Sequence, residues 1–344
     1  PEYYAHSVEG KPESEWQGLE EHLRNVAELA KKFGDEFGSG EWAYLAGLWH
    51  DLGKYSADFQ KMLLVSSDAH IETKETKKGK VDHSTAGAIH AVEQLEIPGR
   101  IFSYLIAGHH AGLADWQTDT SGRKSLVQRL QNIELLSNLP FSDIPDHIVE
   151  QSLPKQKFIT SEGHALWIRM LYSCLVDADF LDTEEFLEQG KAKTRKGYPV
   201  LKELLPFFES YMAHKQANAV DTFVNKKRAE ILRQCISKSA HEPAIFTLTV
   251  PTGGGKTLSS MAFALNHAVK YGMGRVIYVI PYTSIIEQTA EQFREIFKDA
   301  VVEHHSNVNV SDESSETARS RLACENWDAP VIITTSVQFF ESLF

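Results

Sequence analysis

The sequence predicts two domains, a mostly helical one followed by an α/β domain built on a parallel sheet. Three observations support this division. The chain of 344 residues is long enough for two domains. Apolar residues recur at three- and four-residue steps through the first half, which is typical of amphipathic helices. Beyond residue 244, short β-prone runs alternate with helical segments, which is typical of βαβ units.

The helical half begins with one clear apolar stripe. Its members share a single predicted helix face: Leu19, Leu23, Val26, Ala27, Ala30 and Phe33. His22 falls on or beside this stripe. Further helical segments are predicted over residues 41–50, 84–95, 100–108, 125–136 and 163–181. We expect the all-α domain to occupy residues 1–215.

The α/β half is marked by three β-prone runs, at residues 244–250, 275–280 and 330–335. Helical segments are predicted between them, at about residues 257–271 and 284–298. We expect this domain to span residues 244–344. Residues 216–243 are expected to form a linker with a lead-in helix at 221–236.

Composition indicates the cellular location of the protein more clearly than its activity. The formal net charge of −12 argues weakly against nucleic-acid binding, but carboxylates that hold metal ions also count as negative. The cysteines, Cys174, Cys235 and Cys324, lack zinc-ligand or redox spacing. No apolar stretch approaches the roughly 20 residues of a membrane span, and no secretory signal opens the chain. We therefore expect a cytoplasmic protein without membrane contact.

A glycine-rich segment follows the first β-prone run and opens a predicted helix. Its residues are predicted to bind nucleotide phosphates: Thr252, Gly253, Gly254, Gly255, Lys256 and Thr257. Glycines let backbone N–H groups face an anion, and the helix N-terminus favours negative charge. Lys256 is expected to reach the β- and γ-phosphates and Thr257 to ligate Mg²⁺. The segment has the form seen in superfamily 2 helicases, which implies ATP with Mg²⁺ as cofactor.

Two later segments resemble the helicase motifs that contact the phosphates of a single strand. They carry Thr283 and Ser284 after the second β-prone run, and Thr335 and Gln338 after the third. Hydroxyl groups at helix starts suit backbone contact without sequence reading. A capped helix start is the alternative explanation of either segment.

A complete helicase of this class also needs an Asp-Glu motif and a second RecA-like domain. The sequence reaches Phe344 before either appears. We therefore expect an incomplete RecA-like domain that binds ATP weakly and hydrolyses little or none.

The second candidate site is the pair His50-Asp51, which ends an apolar helical run and precedes Leu-Gly-Lys. An imidazole beside a carboxylate can hold a divalent metal. Gly53 is expected to end the helix and expose the pair. Taken singly, a histidine beside an apolar stripe is more often structural than a ligand.

The order His22, His50-Asp51 and a distant aspartate resembles the HD phosphohydrolase superfamily. In that superfamily the last ligand often lies in an Ala-Asp-x-Leu segment, which Asp179 matches here. Asp177 lies two residues earlier, and spacing alone does not choose between the two aspartates. The family motif favours Asp179.

Three more histidines, His83, His109 and His110, extend the minimal pattern. With Asp51 as a bridging carboxylate and catalytic residue they would form a second metal site. Two metals about 3.5–4 Å apart stabilise the attacking and leaving oxygens of a phosphodiester. Lys54 is predicted to be the second catalytic residue, placed to stabilise the scissile phosphate. The remaining histidines are assigned structural or surface roles, although His6 lies on a terminus that could fold over the site.

An HD-type domain ahead of a superfamily 2 helicase core resembles the helicase–nucleases of type I CRISPR–Cas systems. This resemblance implies a nuclease that nicks and degrades single-stranded DNA, with endo- and 3′–5′ exonuclease activity, while the helicase feeds it that strand using ATP. It implies recruitment by a crRNA-guided, Cascade-like surveillance complex. It also implies Mn²⁺, Co²⁺, Ni²⁺ or Fe²⁺ in the HD site, since histidine-rich ligation favours these ions over Mg²⁺.

Two other functions fit parts of the sequence. One is an HD-type phosphohydrolase acting on nucleotides, which the phosphate loop in the same chain disfavours. The other is a non-catalytic, ATP-gated binding fragment, or a target for an inhibitor protein such as one encoded by a phage.

Overall fold

The computed structural model describes residues 2–67, 81–118, 124–155, 160, 162–195, 197–305 and 325–343. The chain divides into two compact units, Pro1–Ala192 and Lys193–Phe344. The boundary expected at residue 215 therefore lies inside the second unit. Each unit has its own hydrophobic core.

The described part of the first unit is mainly helical. Its helices are α1 (Leu19–Asp35), α2 (Gly40–Trp49), α3 (Ala57–Ser67), α4 (Ser84–Gly108), α5 (Leu126–Leu130), α6 (Glu134–Ser137), α7 (Asp146–Val149) and α8 (His164–Leu187), with α9 (Gln189–Arg195) at the boundary. Short 3₁₀ helices span Glu13–Glu15 and Leu52–Tyr55. Strands β1 (Tyr4–His6) and β2 (Gln17–Gly18) form an antiparallel pair ahead of α1.

The core of the first unit lies where α1 packs against α2 and α8. Five of the six predicted stripe residues are buried: Leu19, Leu23, Val26, Ala27 and Ala30. Phe33 packs against the same core and is partly buried. His22 is fully buried on this face, so the apolar periodicity of α1 carries a polar ring into the interior.

Helix α4 joins two of the predicted helical segments across a kink. Glu96 adopts φ 54° and ψ −121°, outside the helical region, and Pro98 follows it. Proline removes a backbone donor and clashes with the preceding turn, which accounts for the break. The segment predicted at 125–136 is also divided, into α5 and α6.

The second unit contains helices on a parallel sheet. Its described elements are α10 (Leu201–Ala217), α11 (Phe223–Lys238), α12 (Lys256–Tyr271), β3 (Val276–Ile280), α13 (Thr283–Phe297), β4 (Val301–His304), β5 (Val331–Thr335) and α14 (Ser336–Leu343), with a 3₁₀ turn at Lys298–Ala300. The strand order is β3-β5-β4, and β5 is parallel to both neighbours. The predicted all-α and parallel α/β halves are thus confirmed.

Helix α10 explains the shifted boundary. Its apolar side chains Leu201, Leu204 and Phe208 are buried in the core of the second unit, where α10 packs against α12 and α13. An amphipathic pattern predicts that a helix has a buried face, but it does not identify the partner.

The strand predicted at residues 244–250 does not form. This segment has no strand pairing in the described residues, and Ile245 is 96% exposed. Strand β4 was not predicted, because Val301 and Val302 lead into polar Glu303 and His304. A strand requires a hydrogen-bonding neighbour, which local composition does not supply. No described helix is long and apolar enough to cross a membrane.

Candidate metal centre and phosphate loop

Four helices of the first unit bring the predicted metal ligands to one place. Their side chains form two groups, in each of which the ligand atoms lie within 4.8 Å of one another. The first group is His22 from α1, His50 and Asp51 at the end of α2, and Asp179 from α8. The second is Asp51 with His83 before α4 and His109 and His110 after it. All seven predicted ligands therefore share one cluster.

Asp51 belongs to both groups, with one oxygen directed to each. Its Oδ2 lies 3.2 Å from Nε2 of His50 and 3.5 Å from Nε2 of His22. Its Oδ1 lies 3.4 Å from Nε2 of His109 and 3.6 Å from Nε2 of His83. This is the arrangement of a bridging carboxylate, with each oxygen available to a different ion.

The histidine rings are oriented by contacts at their other nitrogen. Nδ1 of His50 bonds to the Gly47 carbonyl at 2.7 Å, and Nδ1 of His109 to the Ile106 carbonyl at 2.6 Å. Carbonyl oxygens only accept, so these Nδ1 atoms carry a proton, and Nε2 faces the centre, where it can bind a metal once it is deprotonated. Metal-binding histidines are commonly held by such outer contacts.

The other two histidines nearest Asp51 follow the same pattern. Nδ1 of His83 bonds to the Val81 carbonyl at 3.1 Å. Nδ1 of His22 bonds to the buried carboxylate of Asp182 at 2.7 Å. The Nε2 atoms of His83 and His110 are 2.9 Å apart at the more exposed side of the cluster, a hydrogen bond that His110 donates because His83 carries its proton on Nδ1.

Asp179 is the aspartate of α8 that enters the first group. Its Oδ1 lies 3.4 Å from Nε2 of His22 and 3.6 Å from Nε2 of His50. Asp177 is absent from both ligand groups among the described residues. The geometry therefore favours Asp179 as the fourth member of the first group.

Electrostatics within the first group are dominated by coupling between its charges. Burial by itself would lower the pKa of both His22 and His50, but the neighbouring carboxylates outweigh it. They raise the pKa of His22 to about 9 and that of His50 to about 10. Burial opposes ionisation of Asp51, yet His50 and Lys54 hold the pKa of Asp51 well below its usual range. The metal-free cluster therefore holds protons that a cation would displace.

In the second group, the pKa values of two histidines are lowered and not raised. Burial lowers the pKa of His83, and burial together with His109 lowers the pKa of His110 to about 4. Neutral imidazoles are the form that binds metal. The second group is therefore ready to accept a cation at neutral pH.

The residues present fit divalent cations. Nε2 of His22, His50 and His109 and Oδ1 of Asp51 are buried and have no hydrogen-bond partner among the described residues, whereas Oδ2 of Asp51 is ion-paired with Lys54. Buried polar atoms are normally hydrogen-bonded, so a converging set of unpartnered atoms indicates a missing ligand. Imidazoles and carboxylates are the ligands of Zn²⁺ and of the first-row transition ions.

Lys54 is buried next to the cluster, in the 3₁₀ helix Leu52–Tyr55. Its Nζ forms an ion pair with Oδ2 of Asp51 at 2.7 Å. A buried ammonium group beside a bridging carboxylate can contact an anion that approaches the same centre.

The sequence-based account of Gly53 was wrong in two respects. Helix α2 ends at Trp49, before Gly53, and His50 and Asp51 are both 0% exposed. The glycine is needed for another reason. A Cβ at Gly53 would lie 2.1 Å from the carbonyl oxygen of His83, so only glycine lets the backbone before α4 approach this closely.

Three residues lie beside the cluster, His6 on β1, Gln17 on β2 and Asp182 on α8. Gln17 and Asp182 were not identified from the sequence, whereas His6 was noted as a residue whose terminus could fold over the site. The His6 ring stacks edge-on against His22 with centroids 5.0 Å apart, and burial, followed by Lys54, lowers the pKa of His6 to about 4. Asp182 lies three residues after Asp179 on one helix, a spacing that places both on the same face. That spacing was the available signal for Asp182.

The phosphate loop of the second unit has the predicted turn and helix. Gly253 and Gly255 adopt φ +82° and +84°, which other residues rarely tolerate, and α12 begins at Lys256. Lys256 is exposed and Thr257 partly buried. Arg228 from α11 donates from Nε to the Gly253 carbonyl at 2.8 Å. The loop therefore presents a helix N-terminus and an exposed lysine.

The four residues expected to contact a DNA strand are in different situations. Thr283 and Ser284 begin α13, and their side chains lie outside the described residues. The Thr335 hydroxyl accepts a hydrogen bond from the backbone N–H of Gln338 at 3.0 Å. Thr335 thus caps α14, as the alternative explanation of this segment required.

Comparison with known proteins matches both units. Residues 19–135 match the HD domain, and residues 215–344 match the DEAD/DEAH box helicase. Both matches indicate a hydrolase. The chain is also 31% identical to the CRISPR-associated nuclease/helicase Cas3 of Haloferax volcanii, an alignment that covers 40% of this chain and 18% of that protein.

Solved structures show the same fold over nearly the whole chain. T. fusca Cas3 with ADP superposes with a TM-score of 0.53 at 16% identity, covering 99% of this chain and 44% of the other. T. fusca Cas3 with AMPPNP gives a TM-score of 0.51 at 16% identity, covering 97% and 44%. The chain thus spans less than half the length of the proteins it matches. Its sequence carries an HD-domain match followed by a DEAD/DEAH box helicase match, and its fold is similar to that of T. fusca Cas3.

Proposed function

We propose that this chain is a metal-dependent nuclease for single-stranded DNA, coupled to an ATP-dependent helicase that degrades target DNA in type I CRISPR interference. The similarity to the CRISPR-associated nuclease/helicase of Haloferax volcanii supports this proposal. The order of an HD domain before a helicase domain supports it as well.

The observation that carries the proposal is the shared carboxylate of Asp51. It faces one ligand group with Oδ2 and a second with Oδ1, at 3.2–3.6 Å from four imidazole nitrogens. A structural ion pair does not need two histidine-rich groups with unpartnered Nε2 atoms. Hydrolysis of phosphodiesters commonly uses two neighbouring ions bridged by such a group.

The proposal gives the residues two roles, binding of metal ions and stabilisation of charge on the scissile phosphate. In this proposal His22, His50 and Asp179 hold one ion, while His83, His109 and His110 hold the other. When bound, the ions polarise the phosphodiester and lower the pKa of an attacking water. Asp51 fixes the spacing of the two groups, and Lys54 neutralises charge on the scissile phosphate from its buried position.

Ligand chemistry favours particular ions. Five imidazoles and two carboxylates make the two groups. Mg²⁺ prefers oxygen ligands and retains water, whereas imidazole suits later first-row ions. We propose Mn²⁺, Co²⁺, Ni²⁺ or Fe²⁺ as the working metal.

The second unit supplies the proposed motor function. Residues 252–257 would bind ATP with Mg²⁺, with Lys256 on the β- and γ-phosphates. Thr283, Ser284, Thr335 and Gln338 would contact the phosphates of the translocated strand. Because Thr335 already caps α14, its contact with DNA would have to be made without breaking that cap.

The proposed partners follow from the same assignment. Single-stranded DNA is the substrate, and a crRNA-guided, Cascade-like complex is the recruiting partner. A phage-encoded inhibitor protein is a further proposed partner. Endo- and 3′–5′ exonuclease activity on one strand would then remove the displaced DNA.

The decisive assay uses circular single-stranded DNA with Mn²⁺ and without ATP. We expect degradation by the wild type, loss of degradation with EDTA, and loss in Asp51→Asn. Lys61→Gln, which changes an exposed lysine of α3 outside both ligand groups, is the control and should retain activity. No degradation by a protein with both metal groups occupied would exclude a nuclease. Release of products from free nucleotides, with DNA left intact, would favour a nucleotide phosphohydrolase instead.

A further inference from the structure

The N-terminal strand pair lies beside the metal cluster and contributes polar side chains to it. His6 on β1 is half-buried, and Gln17 on β2 is 3% exposed. Neither belongs to the ligand groups. Both nevertheless take part in a continuous hydrogen-bonded chain that begins at Lys54 and ends at His22.

The direction of each hydrogen bond in this chain is fixed by chemistry. Lys54 Nζ has no lone pair to offer as an ammonium, so its 3.3 Å contact with Nε2 of His6 is donated by Lys54. His6 is therefore neutral and carries its proton on Nδ1. That Nδ1 donates to Oε1 of Gln17 at 2.8 Å. The amide nitrogen of Gln17 donates to Oδ2 of Asp182 at 2.7 Å.

The far end of the chain reaches the first ligand group. Asp182 Oδ2 also accepts from Nδ1 of His22 at 2.7 Å. His6 and Gln17 each accept one hydrogen bond and donate another, the first through its ring and the second through its amide. The chain thus connects Lys54 and His22, two of the three residues whose nitrogens approach Oδ2 of Asp51, the third being His50.

One contact is not enough to fix the position of the Lys54 ammonium. Its four-carbon stem is flexible, and the ion pair with Asp51 alone leaves the ammonium free to turn. His6 supplies a second fixed contact, and Gln17 fixes the ring of His6 in turn. The Phe59 ring lies 5.6 Å from the same ammonium on another side.

We propose that His6 and Gln17 are positioning residues, which hold the Lys54 ammonium against Asp51 so that it meets the scissile phosphate. This inference rests on the proposed nuclease function. It assigns the segment before α1 a role in turnover, although that segment supplies no metal ligand. Its effect should fall on kcat, because DNA contacts elsewhere set KM.

The test compares His6→Leu with His6→Gln in the Mn²⁺-loaded full chain, using a labelled single-stranded oligonucleotide. Leucine removes the acceptor, whereas the glutamine oxygen can replace Nε2. We expect His6→Leu to lower kcat about 10- to 100-fold, the range for loss of an outer contact. KM and bound metal should stay unchanged, and His6→Gln should recover most of kcat. In a Lys54→Met background, His6→Leu should cause no further loss.

A second measurement does not depend on activity. Nitrogen-15 NMR of the metal-free protein should show His6 protonated at Nδ1 and not at Nε2, the signal being assigned by its loss in His6→Gln. An Nε2-protonated His6 would overturn the proposal, as would equal kcat in the leucine and wild-type proteins or full additivity with Lys54→Met. An inactive wild type with the Nδ1-protonated ring would instead overturn the nuclease function and leave the hydrogen-bonded chain in place.

Discussion

The metal centre and the phosphate loop are built in opposite ways. At the metal centre His22, His50 and Asp51 are 0% exposed, and outer contacts fix the rings of the histidines. At the phosphate loop Lys256 is exposed. The segment before the loop, residues 244–250, forms no strand in the described residues. The first site is organised by the core of its unit, whereas the second depends on backbone conformation and on its ligand.

This difference decides how each site should respond to change. Substitutions at the metal centre alter buried charge and packing together, so even outer residues should matter. Substitutions at the phosphate loop should affect ligand binding and little else. The two sites lie in separate units, so each can be impaired without loss of the other.

The largest effect is expected from His50→Gln. We expect at least a 100-fold loss of ATP-independent nuclease activity, because loss of a mere outer partner already costs about 10–100-fold. His90→Gln is the matched control. His90 is also a buried histidine of the first unit, packed on Trp49, and it bonds to the Val149 carbonyl outside the cluster. Equal losses in the two variants would show that general packing, not metal binding, explains the effect.

A separate effect is expected from Lys256→Ala. Loss of a charged contact to phosphate should lower the affinity for a fluorescent ATP analogue about 10- to 100-fold. Nuclease activity without ATP should not change. Lys270→Ala, near the other end of α12, serves as the control because Lys270 bonds to the Ala240 carbonyl. A fall in ATP-independent nuclease activity in Lys256→Ala would contradict the separation of the two sites.

A smaller effect is expected from Asp182→Asn. The substitution keeps the shape of the side chain but removes the charge that holds Nδ1 of His22. Metal affinity, measured by competition with a chelating dye, should fall about 10- to 100-fold. Asp177→Asn on the same helix is the control and should leave affinity nearly unchanged. If both variants bind metal like the wild type, the outer contact of His22 has no role.

The smallest effect is expected from Gly53→Ala, which acts through packing. A new Cβ would meet the backbone of His83 and force it to move. We expect the first unit to lose about 1–3 kcal/mol in its free energy of unfolding, as for other overpacked cores. Gly190→Ala, where a Cβ meets no atom within 4 Å, should not lose stability in the same urea titration. Equal stability of the two variants would contradict the steric role of Gly53.

Local patterns predicted most of the fold. The stripe on α1 and the runs that became β3 and β5 follow from side-chain periodicity, which is a property of neighbouring residues. Residues 244–250 have the same composition, yet they form no strand, since pairing is not local. The unit to which α10 belongs was likewise set by a distant partner.

The candidate site was predictable to the extent that a motif marks it. His50-Asp51 and the glycine-rich loop stand out in the sequence, and family resemblance suggested Asp179. His6 and Gln17 carry no such mark, because their contacts with Lys54 and Asp182 depend on how β1 and β2 pack against the helices. The two carboxylate oxygens of Asp51 face different ligand groups. This arrangement also depends on the tertiary structure, so the sequence does not show it.

The central claim, that Asp51 bridges two metal positions, can be tested directly by crystallography of the Mn²⁺-loaded protein. Anomalous scattering should show two peaks about 3.5–4 Å apart. One should contact Oδ2 together with His22, His50 and Asp179, and the other Oδ1 together with His83, His109 and His110. A single peak, or two peaks that do not both contact Asp51, would contradict the account.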